Sequence, residues 1–313
     1  MSATASAPGK IILFGEHAVV YGRPAIAVPV LQVASRVMVE EAEAGVHVVS
    51  SRGSRTLLPG DLNGDDPIAA ILRHTLSAIR YPSFPNITIT IDSTIPVAGG
   101  LGSGAAVSAA VARAVALHLG HTLDAATVSA LVYEVEKIHH GTPSGIDNTV
   151  IAFARPVYFV RGQPIEMLAV PAPFTLVIAD TGIAGPTKIA VGDVRQSWEA
   201  EREQFEALFD RCGDVARRAR ALIEGGQPEM LGPLMTENHA ALREMGVSCA
   251  ELDALVGAAM AGGALGAKLS GGGRGGNMIA LVTPRTEAAV TEALLRAGAK
   301  RTIVTEVGGS FQV

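Results

Sequence analysis

Pro96-Val97-Ala98-Gly99-Gly100-Leu101-Gly102-Ser103-Gly104-Ala105-Ala106 carries more chemical information than any other segment of this 313-residue chain. It lies between a strand-like run at 87–91 and an Ala/Val-rich run at 105–119 that reads as a helix. Glycine reaches positive φ without steric cost, so the backbone here can turn its N–H groups inward. A helix N-terminus just beyond adds unpaired N–H donors and a partial positive charge. Such a junction suits an anion, and a polyphosphate above all. A plain glycine turn before a helix has the same local signature, so the loop takes its meaning from the rest of the chain. No Gly-Lys-Ser/Thr follows, which excludes a Walker A loop, and the glycine spacing departs from the dinucleotide fingerprint.

Outward from this loop, the first half mixes strand and helix signals. Strands are expected at 11–14, 25–30, 35–40 and 46–50, broken by Gly and Pro. A helix follows at 67–79, with Asp65 or Asp66 as its cap, and then an alternating strand at 86–93. Helices are expected at 105–119 and 125–139, the second capped by Asp124 and ended by Gly141 and Pro143. A Pro-rich stretch at 162–173 marks a boundary. Beyond it come a strand at 174–179, a long charged helical segment at 191–224, and helices at 228–245 and 248–262. Strands at 265–269, 277–282 and 302–307 close the chain, with a helix at 287–297. This succession predicts an α+β protein with two lobes.

Composition narrows the function classes. Hydrophobic residues make up 48% of the chain, enough for a substantial core, yet no apolar run reaches the length of a membrane span. The N-terminus lacks the basic and hydrophobic regions of a secretory leader. Cys212 and Cys249 show neither metal-site spacing nor a disulfide framework, so a reducing cytoplasm is expected. A net charge of −5 disfavours a general nucleic-acid binder. The sequence leaves the oligomeric state open, a homodimer included.

Two further glycine-containing segments stand in order around the loop: Ala7-Pro8-Gly9-Lys10-Ile11-Ile12-Leu13-Phe14-Gly15-Glu16-His17 and Ala267-Lys268-Leu269-Ser270-Gly271-Gly272-Gly273-Arg274-Gly275-Gly276. Together the three resemble the motifs of the small-molecule kinases that act on galactose, homoserine, mevalonate and phosphomevalonate. Gly15-Glu16-His17-Ala18-Val19-Val20-Tyr21-Gly22 and His140-Gly141-Thr142-Pro143-Ser144-Gly145-Ile146-Asp147-Asn148 most resemble the mevalonate-phosphorylating branch. The resemblance implies a two-lobed small-molecule kinase fold with the active site in the cleft between lobes. It implies an N-terminal kinase domain at 1–165 with the phosphate loop, and a C-terminal one at 166–313 with ferredoxin-like α/β layers. ATP, Mg²⁺ and mevalonate are the implied ligands, with no nucleic acid and no membrane. Phosphomevalonate kinase is the nearest alternative, and a non-catalytic metabolite sensor on the same fold is an alternative of another class.

Phosphorylating an alcohol needs a triphosphate cradle, a cation, a positioned hydroxyl and a group that receives or steers its proton. The segment from Pro96 to Ala106 is the candidate cradle. Asp147, in a turn bounded by Pro and Gly, reads as a catalytic base or as a helix cap; the resemblance assigns it as the base. By the same resemblance Glu136, eleven positions earlier, helps hold Mg²⁺. Lys10 sits near the reacting hydroxyl, where its charge would offset Asp147 and a developing alkoxide. Glu16, His17 and Thr187 approach the substrate, and 271–276 lines the nucleotide. His139 and His140 read as structural. Two departures stand out. Gly104 replaces a serine whose hydroxyl is a Mg²⁺ ligand in this family, leaving Ser103 or water for that place. Gly272 and Arg274 stand where the motif usually has Ala and Gly; Arg274 reads as a phosphate or carboxylate ligand or as a solvated side chain.

Overall fold

The computed structural model describes residues 2–96, 99–140, 143–185 and 187–309. A single 17-residue strand, β2 (Ala25–Glu41), organises the first sheet. One edge of β2 pairs antiparallel with β1 (Ala3–Phe14). The other edge pairs with β6 (Val157–Phe159) at its start and β5 (Ile87–Ser93) at its end. β3 (Val46–Ser50) adds parallel to β5, and β4 (Gly53–Leu57) and β7 (Glu166–Met167) complete the two sides. The two strands expected at 25–30 and 35–40 are therefore one. Pro29 does not break β2, because it lies in the gap between the β6 and β5 partners, where no ladder N–H is required. The register with β1 also slips between Pro8 and Gly9, which absorbs the unpaired residues between Val30 and Ala34.

Helices α1 (Pro67–Ala78), α2 (Ser103–His118), α3 (Ala125–His140) and α4 (Ile146–Phe153) belong to this lobe. Asp66 caps α1 by accepting from the Ile68 and Ala69 N–H groups at 3.0 and 2.9 Å. α2 is buried nearly all round, and its alanines let it lie close on β1 and β2.

The second sheet has the order β11-β8-β10-β9, formed by β8 (Phe174–Asp180), β9 (Gly266–Ser270), β10 (Asn277–Val282) and β11 (Arg301–Val307), all antiparallel. The long charged segment expected at 191–224 is two helices, α5 (Thr187–Ala200) and α6 (Arg202–Glu224), followed by α7 (Leu231–Glu244), α8 (Ala250–Ala261) and α9 (Glu287–Arg296). The chain leaves the first sheet only after Met167, because β7 still pairs with β6. One apolar cluster runs from Ile11, Val28 and Val111 to Leu176, Ile178 and Ile279, so the lobes share a core. No helix among the described residues is long and apolar enough to cross a membrane.

Candidate active site

The glycine loop delivers its backbone to the start of α2. Gly100 and Gly102 both hold φ 72°. Gly102 is the N-cap of α2 and has no side chain to cap the helix, so no capping oxygen competes for the first N–H groups. The Lys10 N–H donates to the Leu101 carbonyl at 3.0 Å, which ties the loop to β1. A Cβ at position 102 would lie 2.7 Å from Ile151 Cδ1 and 3.0 Å from Lys10 Cγ. Only glycine lets the loop, β1 and α4 approach this closely. Val97 and Ala98 fall outside the described residues.

Lys10 Nζ stands 3.0 Å from Asp147 Oδ1; the lysine side chain is 7% exposed and the aspartate 32%, so the aspartate is partly open to solvent and the lysine is not. Asp147 does not cap its helix. α4 begins at Ile146, its N-cap is Gly145 at φ 90°, and Asp147 lies within the first turn. The next two residues hold α4 in place. Asn148 donates to Ser129 Oγ at 2.9 Å, and Thr149 Oγ1 donates back to the Gly145 carbonyl at 2.7 Å. Glu136 is 7% exposed on α3 and faces the same helix start: a Cβ on Gly104 would sit 3.9 Å from its Oε1. Gly104 has no left-handed φ. Ser103 is the first residue of α2. One carboxylate and one hydroxyl beside a phosphate cradle are a donor set that fits Mg²⁺, which keeps several waters and phosphate oxygens of its own. The His139 and His140 side chains, and residues 141 and 142, fall outside the described residues.

The second lobe closes on the first through polar contacts that local sequence signals do not reveal. Asn277 Nδ2 donates to the Gly99 carbonyl, and Ser270 Oγ donates to the Ile12 carbonyl at 2.7 Å. Lys268 Nζ bonds Glu16 Oε1 and the Leu269 carbonyl. Both side chains of this ion pair are fully buried. Here the geometry departs from expectation: Glu16, expected to contact substrate, is withdrawn from the cleft and paired with Lys268. Burial raises the Glu16 pKa and lowers that of Lys268, each by disfavouring the charged form. Lys268 sits in a strand of buried apolar residues, the one local sign of an internal partner.

His17 takes φ 58°, and its Nε2 donates to the Gly272 carbonyl at 3.0 Å. With Nε2 protonated, Nδ1 is an acceptor, and it is buried with no hydrogen-bond partner among the described residues. Burial, with a smaller contribution from the Arg274 charge, pushes the His17 pKa down to about 4. Thr187, exposed at the start of α5, brings Oγ1 to 2.8 Å from the place a Cβ on Gly272 would occupy. The glycine at 272 therefore allows the approach of Thr187. The run at 271–276 is the β9–β10 hairpin turn, and it is pressed against α5 and the 246–247 loop rather than opening onto a helix. Arg274 is partly exposed, and its guanidinium bonds Asp193 rather than standing free.

Residues 67–155 match the GHMP kinases N terminal domain and residues 219–300 the GHMP kinases C terminal. The chain is 36% identical to the mevalonate kinase of Thermococcus gammatolerans, over 98% of this chain and 96% of that one. It is 35% identical to the mevalonate kinase of Pyrococcus horikoshii, over 94% and 92%. Among solved structures, L. major mevalonate kinase in complex with R-mevalonate superposes with a TM-score of 0.83 at 29% identity, covering 99% of this chain and 97% of that one. The Methanococcus jannaschii mevalonate kinase gives 0.85 at 25% identity, covering 98% of each. Three glycine motifs in order, a Lys–Asp pair at an uncapped helix start and full-length likeness converge: the chain belongs to the GHMP kinases and, within them, to the mevalonate kinase family.

Proposed function

We propose that this protein transfers the γ-phosphoryl group of ATP to the 5-hydroxyl of mevalonate, giving 5-phosphomevalonate and ADP for isoprenoid biosynthesis. The Lys10–Asp147 pair at 3.0 Å, beside the uncapped N-terminus of α2, is the observation that carries this reading. Asp147 accepts or steers the hydroxyl proton through its partly exposed carboxylate, and Lys10 offsets the alkoxide charge that develops. The N–H groups of the loop from Pro96 to Ala106 and of the first turn of α2 cradle the triphosphate. Glu136 and Ser103 would hold Mg²⁺, which would supply charge neutralisation for the transferred phosphoryl group. His17 and Thr187, which meet at Gly272, stand on the acceptor side.

A substrate already bearing a phosphate would need a further cation, and Arg274 is engaged with Asp193. This favours mevalonate over phosphomevalonate as the acceptor. The domain division proposed is an N-terminal kinase domain at 1–167 and a C-terminal one at 168–313, two residues later than the expected 1–165 and 166–313, because β7 pairs with β6. The 4-1-3-2 order of the second sheet, counted from β8, supports ferredoxin-like layering in the latter. Cys212 and Cys249 are free, which fits a cytoplasmic enzyme. ADP release measured with mevalonate, phosphomevalonate, homoserine and galactose tests the assignment: mevalonate is expected to be turned over fastest, and faster turnover of any other acceptor overturns it.

A further inference from the structure

Residues Gly273, Arg274, Gly275 and Gly276 follow one another at φ 76°, 56°, 131° and 72°. Arg274 is the one side chain in this left-handed run, at a position where glycine is conformationally favoured. Its backbone N–H donates to the Val247 carbonyl at 2.8 Å, and its Nε donates to the Gly246 carbonyl at 3.3 Å. The rest of the guanidinium reaches across to Asp193 on α5. One residue thus joins the hairpin turn, the loop after α7 and a helix.

α5 meets that junction at Asp193. Of its 14 residues only Ala190 and Val194 are buried, and Ile189 is exposed. Its C-terminal end is held separately: Trp198 packs on Tyr21 with ring centroids 5.1 Å apart, and its Nε1 donates to Glu206 at 2.9 Å. The N-terminal end carries Thr187, which abuts Gly272, whose carbonyl takes the His17 hydrogen bond. Asp193, between the two ends, is where the turn grips the helix.

We infer that the Arg274–Asp193 ion pair is a clasp that fixes the N-terminal end of α5 against the Gly272–His17 contact, making Arg274 a positioning residue for the acceptor alcohol. The inference rests on the reading of mevalonate as that acceptor. The clasp acts on the acceptor side of the cleft. The Lys10–Asp147 pair and the α2 N-terminus lie on other elements, so nucleotide binding and the chemical step are left in place when it opens.

Arg274→Gly separates this role from ordinary packing. Glycine relieves the left-handed backbone while removing the clasp, so stability and acceptor binding are expected to move in opposite directions. Tm should stay equal or rise, while KM for mevalonate rises about tenfold and kcat and KM for ATP stay within about twofold. Asp193→Asn should give the same rise in KM without the gain in Tm, and Arg274→Lys an intermediate one. Backbone amide exchange should quicken at 187–193 in Arg274→Gly and stay unchanged around Trp198. An unchanged KM in both Arg274→Gly and Asp193→Asn overturns the proposal, as does a lower Tm with both KM values raised alike. If the wild-type protein fails to turn over mevalonate, the substrate reading falls. The exchange measurement still decides the clasp: unaltered protection at 187–193 in Arg274→Gly refutes it.

Discussion

Two glycine runs in this chain look alike as sequence and do opposite things as structure. The run from Gly99 to Gly102 opens into a 16-residue helix and leaves that helix without a side-chain cap. The run from Gly271 to Gly276 closes a hairpin between β9 and β10. Its neighbours crowd it: a Cβ at Gly273 would collide with the Val247 carbonyl oxygen, and one at Gly275 would fall 2.6 Å from that of Ile183. The first run uses glycine to expose N–H groups; the second uses it to let backbone approach backbone. The element C-terminal to the glycines decides which, because a helix start supplies aligned donors and a hairpin return consumes them in its own ladder. On this contrast the first run leaves donors free at a helix start, and the second packs its hairpin against neighbouring backbone.

Asp147→Asn tests the first half of that contrast most severely. It keeps the shape of the side chain and removes the carboxylate. We expect kcat to fall by about two to four orders of magnitude, with ATP affinity by calorimetry little changed. A folded variant with near-normal kcat would leave the carboxylate beside Lys10 without a part in the chemistry.

Lys268→Met tests the second half. It leaves the Glu16 carboxylate buried without its cation, and removing one partner of such a pair costs about 3–5 kcal/mol in chemical denaturation. Changing both residues, Glu16→Gln with Lys268→Met, should recover most of that loss, since the remaining groups carry no buried charge. A single-variant cost below about 1 kcal/mol would mean that the seam between lobes is held elsewhere, by contacts such as Asn277 to Gly99.

The pH dependence of stability probes the same seam. His17 titrates near 4 when folded and near 6.5 when unfolded, so the unfolded chain binds its proton first as pH falls. Stability from keeping His17 neutral is present above about pH 6.5 and is lost as pH falls toward 4, by about 3 kcal/mol in all. Glu16 has the opposite sign, because its raised pKa makes the folded state take up a proton first. The comparison is therefore of wild type with His17→Gln between pH 7 and 4. The variant should lose the acid-side slope attributable to His17, and an identical slope would show that His17 is not held neutral by the seam.

Legibility divided along the same line. The helix caps were readable because an Asp side chain reaches only a few residues: Asp66 bonds Ile68 and Ala69, and Asp124 bonds the Thr127 N–H at 2.7 Å. The glycine loop was readable because loop and helix are adjacent in the chain. The Glu16–Lys268 pair was not, since its partners are 252 residues apart and the motif places Glu16 at the substrate instead. β2 was read as two strands at 25–30 and 35–40, and its continuity depends on which strands lie alongside. Asp147 was open between cap and carboxylate until the position of Gly145 as N-cap separated them. Local chemistry could be read from the sequence; pairing across the lobes could not.

The smallest expected effect is the sharpest probe of the first run. Gly104 stands where the family's serine hydroxyl would be, in the first turn of α2, without left-handed φ. A Cβ there meets nothing closer than Glu136 Oε1 at 3.9 Å, an ordinary contact. Gly104→Ser should therefore fold normally and gain about 0.5 kcal/mol from the better helix former. Its hydroxyl would point into the neighbourhood of Glu136 and Ser103, so Mg²⁺–ATP should bind equally or more tightly, read as the Mg²⁺ concentration giving half-maximal rate. The matching change at Gly273 would be forced against the Val247 carbonyl and should be far more damaging. If Gly104→Ser instead weakened Mg²⁺ dependence or lost stability, the space at the start of α2 would not be a cradle, and the two glycine runs would be more alike than their surroundings imply.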